Sequence, residues 1–166
     1  MLRVIFDTNI YGLLIKEKNI DEITNKIKED KEFKIYNYIP IRKEIRNIPK
    51  RTKESKRARI LILQLYDSIT EEHILKESIK IGCLAKKYYD NYREHGGIYG
   101  WDTNIRIDFM IVACAVLNEL DIVYSDDKHT MLSKPALKSY KHINLKENLR
   151  TPNFYHYNDL LFKFKN

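Results

Sequence analysis

Cysteine is scarce in this chain of 166 residues: only Cys83 and Cys114 are present, with no Cys-x-x-Cys spacing and no histidine close by in sequence. That excludes a disulfide-stapled secreted scaffold and a zinc-finger type of site. Both cysteines fall in apolar helical patterns, so a buried, reduced pair in a cytosolic protein is expected. No apolar run approaches the ~18 residues of a membrane-spanning helix. The N-terminus enters a strand without the basic-then-apolar layout of a signal peptide. A cytoplasmic protein without a membrane partner is the resulting expectation. Internal repeats and low-complexity segments are also missing, which excludes a repeat architecture.

Hydrophobic residues make up 43% of the chain. One domain spanning residues 1–166 is expected, able to bury roughly two-thirds of its surface. The formal net charge is +7, and its placement matters more than its size. Arg42, Lys43, Arg46, Lys50, Arg51, Lys53, Lys56, Arg57 and Arg59 lie in one stretch opposed only by Glu44 and Glu54. The excess within that stretch equals the charge of the whole chain. Such a stretch is either a solvated helix face or a track for a polyanion.

The N-terminal segment Leu2-Arg3-Val4-Ile5-Phe6-Asp7-Thr8-Asn9 reads as a buried strand that stops at an acid. Ile10, Leu13 and Leu14 then recur at helical spacing. In an open α/β sheet, ligands sit beyond the carboxyl ends of the strands, and Asp7 is placed there. An aspartate in that place also serves simply as a helix N-cap, so other acids must decide.

Further along, a helix is expected at 19–29, with Ile20, Ile23 and Ile27 on one face, and a strand at 34–39. A short helix at 40–48 follows, with Pro40 in its first turn and Ile41, Ile45 and Ile48 on one side. A basic-faced helix at 52–66 carries a stripe of Ile60, Leu61, Leu63 and Leu65. Asp67-Ser68-Ile69 reads as a connector or a very short strand. A long helix at 70–93 has Thr70, Glu71 and Glu72 as its cap and Gly96-Gly97 as its stop. The polar loop 96–104 carries Trp101. Residues 105–120 form the most apolar helix, with Ile107, Ile111, Cys114, Ala115 and Leu117 facing inward. A strand at 121–125, a strand at 142–145 and a helix at 158–163 complete the chain. This alternation predicts an α/β fold with a parallel sheet and helices on both faces.

Chain direction then brings the acids together. Asp7 ends the first strand, Glu44 follows the second, and Asp127 follows the strand at 121–125. Asp108 lies in the first turn of the helix that runs back to feed that strand. All four carboxylates belong at one sheet edge. Like charges that close raise one another's pKa values. Shared protons or a hard cation relieve them, and Mg²⁺ or Mn²⁺ accepts oxygen ligands of this kind. A cation site beside a basic stretch suits phosphodiester cleavage, with two ions roughly 3.5–4 Å apart as one arrangement. A catalytically idle RNA-binding scaffold would show the same basic stretch. A haloacid-dehalogenase-type phosphatase wants an acid where Asn9 stands. A phospho-receiver domain lacks its paired first-strand acid and its lysine here.

Three segments resemble the PIN-domain (PilT N-terminus) ribonuclease family, which includes VapC-type toxins and stand-alone RNA-processing nucleases: Val4-Ile5-Phe6-Asp7-Thr8-Asn9, Asp108-Phe109-Met110-Ile111-Val112-Ala113-Cys114-Ala115, and Ser125-Asp126-Asp127. The resemblance spans about residues 1–130. It implies a three-layer PIN-like fold with a central parallel sheet of about 4–5 strands flanked by helices. It also implies Mg²⁺- or Mn²⁺-dependent RNA cleavage by Asp7, Glu44, Asp108 and Asp127 as catalytic and metal-binding residues. Thr8, Asn9 and Ser125 would support them, while Asp126 either faces away or adds a ligand. An antitoxin partner and a homodimer are implied as well. The stretch at about 50–95 reads as a helical insert and about 131–166 as a C-terminal extension. The nine basic residues from Arg42 to Arg59, with Trp101 as a stacking platform, would hold RNA. Trp101 reads equally as a core or dimer-interface residue.

Overall fold

Val4, Ile5 and Phe6 lose all contact with solvent, and the sheet is built outward from them. The structure is a computed structural model describing residues 1–70 and 73–165. In chain order the elements are β1 (Leu2–Phe6), α1 (Thr8–Leu14), α2 (Ile20–Glu29), β2 (Phe33–Ile35), β3 (Asn37–Tyr38), α3 (Ile39–Arg46) and α4 (Lys53–Thr70). Then come β4 (Ile74–Leu75), α5 (Ile79–Glu94), α6 (Ile105–Leu117), β5 (Ile122–Tyr124), α7 (Lys134–Lys146), β6 (Asn153–Tyr155) and α8 (Tyr157–Lys165). The main sheet runs β2-β1-β5-β6, all parallel, so every carboxyl end lies at one edge.

Phe6, Tyr124 and Tyr155 stand in register on one face of the sheet. That face meets α8, whose Phe164 ring lies 5.0 Å from Phe33. Phe154, on the opposite face, stacks at 5.5 Å on Tyr140 of α7. Tyr140 in turn meets Phe109 of α6 at 5.6 Å. Helices therefore cover both faces in a three-layer arrangement. Helix α6 is buried nearly all round, as a helix without a polar face must be. No helix among the described residues is long and apolar enough to cross a membrane.

Several local expectations are corrected. The strand expected at 34–39 divides between two sheets. Tyr36 N still donates to Val4 O (2.8 Å), whereas Asn37 N donates to His73 O (2.6 Å). From there β3 pairs with β4, a strand not expected from the sequence, in a small second sheet. Asp67, Ser68 and Ile69 are neither connector nor strand; they continue α4. Its buried positions Ile62, Leu65, Tyr66 and Ile69 follow helical spacing, while Ile60 and Leu61 of the expected stripe face solvent. Thr70 closes α4, its Oγ1 donating to Tyr66 O at 2.7 Å, rather than capping the next helix. Glu71 and Glu72 of the expected cap lie outside the described residues. Helix α5 starts at Ile79 with Ser78 as its cap.

The strand expected at 142–145 is part of α7. Ala136, Ser139, Tyr140 and Ile143 are buried at three- and four-residue steps, a period that four residues are too few to reveal. The edge strand comes later, at β6. Cys83 is exposed and only Cys114 is buried, so there is no buried cysteine pair. The stop after α5 is as read: Gly96 adopts φ 86°. A Cβ on Gly97 would sit 2.1 Å from the Tyr92 ring.

Phe109 is fully buried among Tyr88, Tyr92 and Tyr140, one residue after the Asp108 that α6 carries to the sheet edge. Phe109→Ala should destabilise the fold by roughly 3–5 kcal/mol, read as a lower urea midpoint in equilibrium unfolding. A loss below ~1 kcal/mol would contradict this packing.

Candidate active site: an acid cluster at the carboxyl edge of the sheet

Asp7 follows directly on the central strand. Its Oδ1 accepts from Thr8 N at 2.7 Å, which makes it the N-cap of α1. Its Oδ2 accepts from Ser125 Oγ at 2.7 Å and from Asn9 Nδ2. One oxygen of Asp7 thus caps the helix, as the N-cap reading has it, and the other faces the end of β5. Thr8 joins the first acid to the second, for its hydroxyl donates to Glu44 Oε2. Glu44 is half-buried on α3, a helix started by Pro40.

Ser125 follows directly on β5 with no exposed surface. Besides donating to Asp7, its Oγ accepts from Asp127 N at 3.1 Å and from Asn9 Nδ2 at 3.2 Å. One hydroxyl thus sets the ends of two neighbouring strands against each other. Asp127 Oδ1 accepts from the backbone N of His129 and of Thr130, both at 2.9 Å. Thr130 was not singled out from the sequence. Its Oγ1 contacts both Asp108 Oδ2 and Asp127 Oδ2. An Asp-x-x-Thr spacing just after a strand end was the available signal, since such side chains bond the local backbone.

Asp126 turns away from the cluster. Its Oδ1 accepts from Tyr157 N at 3.0 Å and lies 3.2 Å from His156 Nδ1, which ties the start of α8 to the strand end. Arg42 is also committed elsewhere, in a bidentate pair with Asp67 at 2.8 and 2.7 Å. Arg59 donates to Arg46 O at 2.8 Å. Lys43, Arg46, Lys50, Arg51, Lys53, Lys56 and Arg57 are exposed. Trp101 packs on Tyr89 (5.2 Å) under the Arg106 guanidinium (5.7 Å). It shares a cleft of about 540 Å³ with Lys43 and Glu44. On the other side of the acids, Asn9 and Asp127 border a second cleft of about 640 Å³ between α1 and α4.

The electrostatics follow from burial. Asp7 and Asp108 are only 4% and 6% exposed, and among the described residues no cation pairs with any of the four acids. Burial, reinforced by the charges of Glu44 and Asp127, pushes the Asp7 carboxyl up to about 7, although Ser125 and Thr8 donate to it. Burial pushes Asp108 well above the ordinary carboxylate range, with Asp7, Asp127 and Glu44 adding to the effect. The Thr130 hydroxyl owns one proton and touches two carboxylates. It donates to one of them, and the other contact is satisfied only if that carboxyl is protonated.

Every donor at the cluster is a carboxylate, hydroxyl or amide oxygen, which is the chemistry of a hard cation. As the side chains stand, no three His, Cys, Asp or Glu residues among those described are arranged to hold a metal ion. Hydrogen bonds engage both oxygens of Asp7 and of Asp127 and one each of Asp108 and Glu44. The donor set therefore fits Mg²⁺ or Mn²⁺ in kind, and the positive charge it lacks is what such an ion brings.

No family model matches the sequence, and no curated protein matches it. Solved structures do. The crystal structure of VapBC2 from Rickettsia felis, bound to a DNA fragment from their promoter, matches with a TM-score of 0.57 and 13% identity. The match covers 93% of this chain and 98% of that one. FitAcB from Neisseria gonorrhoeae matches with a TM-score of 0.51 and 14% identity, over 93% of this chain and 97% of that one. At such identities the likeness is one of fold. The α/β, PIN-like architecture expected from the sequence is the architecture of this chain.

A carboxyl that titrates higher in the folded than in the unfolded chain takes up protons on folding. Its contribution is most favourable at low pH and is lost as pH rises from the unfolded value, about 3.9, through the folded one. For Asp7 the window therefore runs from about 4 to about 7. In chelator-treated buffer, Asp7→Asn should be more stable than the parent at pH 8 by roughly 2–4 kcal/mol, with a shallower loss of stability between pH 5 and 8. Urea titrations at both pH values measure it; equal slopes in parent and variant would refute the assignment.

Proposed function

We propose that this chain is a divalent-cation-dependent endoribonuclease of the PIN-domain type. One observation carries the reading. Four acids from separate stretches of the chain meet at one sheet edge, hydrogen-bonded by Thr8, Asn9, Ser125 and Thr130 and unpaired with any cation among the described residues. An exposed basic stretch adjoins them. Buried carboxylates without a counter-charge are costly, and a site built that way is suited to bind something positive.

Asp7, Glu44, Asp108 and Asp127 would hold the cation. When bound, Mg²⁺ or Mn²⁺ supplies activation of water and stabilisation of charge on the phosphate. The chain's own residues do the rest. Ser125 orients Asp7 and the turn that presents Asp127. Thr8 orients Glu44. Thr130 holds Asp108 and Asp127 at a common distance. Arg and Lys side chains of α3 and α4 take RNA phosphates, and the cleft beside Glu44 offers Trp101 to a base. In this reading the chain is a toxin-type nuclease. Its partners would be a small antitoxin protein and a second copy of itself, and its location the cytoplasm. The fold shared with VapBC2 and FitAcB supports the choice of a toxin-type nuclease with an antitoxin partner.

A second reading has one observation in its favour. As they stand, the acids form no ready metal cage, which suits an RNA-binding scaffold without catalysis. Labelled single-stranded RNA incubated with Mn²⁺, with and without chelator, separates the two. The nuclease reading expects cleavage that chelator stops. Asp7→Asn and Asp108→Asn should each abolish it while RNA binding persists in gel shift. RNA bound by the parent chain but left intact with Mn²⁺ would decide for the scaffold.

A further inference from the structure

The nine basic residues of 42–59 are not equivalent in space. Lys43, Arg46, Lys50 and Arg59 line a cleft of about 510 Å³ between α3 and α4, with Asn47 and Leu63 as its other walls. No acid lines it. Lys43, Arg46 and Lys50 are exposed and make no ion pair among the described residues. Arg59 is half-buried, and its bond to Arg46 O fixes the guanidinium in the cleft wall. That bond also covers a carbonyl at the C-terminal end of α3, which would otherwise repel an anion. The Arg59 Nε is buried with no hydrogen-bond partner, and a buried cationic donor left unpaired is costly. Being enclosed, the Nε lends positive charge to the cleft wall but offers no contact to a ligand. By contrast, Arg42 is held by Asp67, and Lys56 and Arg57 lie exposed on α4 outside this cleft.

The cleft does not end blindly. Lys43 and Asn47, one helical turn apart, line both it and the cleft that holds Glu44 and Trp101. Two adjoining clefts thus lead from a mainly cationic groove, past the Trp101 ring, to Glu44 of the acid cluster. A repeating chain of negative charges fits that sequence of surfaces, and phosphate oxygens suit both the Arg fork and the Lys point charges.

We infer that the α3–α4 cleft is a phosphate subsite that holds the backbone of single-stranded RNA to one side of the bond to be cut, with Arg46, Lys50 and Arg59 as its contacts and Lys43 and Asn47 leading the strand to Glu44. The identity of the polyanion rests on the nuclease reading; the location of the subsite rests on the cleft. Binding is read without catalysis, in full-length Asp7→Asn with EDTA, by fluorescence anisotropy of a labelled single-stranded RNA over a range of salt concentrations. Two double variants remove equal charge from the same stretch: Arg46→Ala/Lys50→Ala inside the cleft and Lys56→Ala/Arg57→Ala outside it. All four side chains are exposed, and thermal melts confirm that both variants fold.

The cleft variant should lower the slope of log affinity against log salt by about 1.4, at ~0.7 per lost phosphate contact. It should weaken binding at least ~10-fold at low salt, while the outer variant changes the slope by less than half as much. Equal losses in the two variants would mean diffuse attraction and would overturn the subsite. So would binding of a poly-glutamate peptide in place of RNA through Arg46 and Lys50, or no binding of RNA at all. Cleavage by the parent chain with Mn²⁺ is scored separately. Its absence alongside cleft-specific RNA binding would sink the nuclease reading and leave the subsite standing.

Discussion

Asp7 and Asp108 are withheld from water and from any counter-cation among the described residues, and much of the architecture around them exists to hold that arrangement in place. Ionised and unpaired, two buried carboxylates are costly, and burial together with the charge of Asp7 raises the pKa of Asp108. Here neutral donors restrain them. Ser125 and Asn9 hold Asp7, Thr8 holds Glu44, and Thr130 lies between Asp108 and Asp127. Neutral donors orient a carboxylate without cancelling its charge. The cluster therefore has no positive partner among the described residues, and burial with mutual repulsion raises the pKa values of Asp7 and Asp108.

The scaffold makes this strain tolerable by being rigid where the acids attach. β1 and β5 are adjacent, parallel and buried. Asp7 and Asp127 consequently emerge side by side, with Ser125 bonded across the gap. Asp108 rides on the most apolar helix of the chain, anchored by Phe109 in a nest of tyrosine rings. Asp126 turns the other way and fastens α8 to the same strand end, so the last helix braces the site without entering it. The basic hairpin α3–α4 is attached through Glu44's own helix. The cationic groove and the cleft beside Glu44 are thereby neighbours, with Lys43 and Asn47 lining both.

Much of this is readable from local pattern because it depends on local physics. An apolar run ending at Asp7, a second ending at Ser125-Asp126-Asp127, and an apolar helix opening with Asp108 each reflect burial or capping within a few residues. The direction of a parallel sheet then brings them to one edge. Patterns failed where the period was too short to see or where a segment served two partners. Four residues at 142–145 cannot display a helical period. The strand at 34–39 changes sheet between Tyr36 and Asn37, and only the hydrogen bonds to Val4 and His73 reveal it. Ile60 and Leu61 looked like core because α4 is apolar on more than one side, and which side is buried depends on what packs there.

The amino-acid order alone determined the alternating α/β plan, the four acids and the concentration of positive charge, since these follow from side-chain type and short-range spacing. Tertiary structure decided which polar groups speak to which acids. Thr130 stands 22 residues from Asp108 and Ser125 stands 118 from Asp7, and no spacing rule reaches that far. It also sorted the basic residues, giving Arg42 to Asp67 and gathering Lys43, Arg46, Lys50 and Arg59 around one cleft. Charge is a property of the residue, but what that charge faces is a property of the packing.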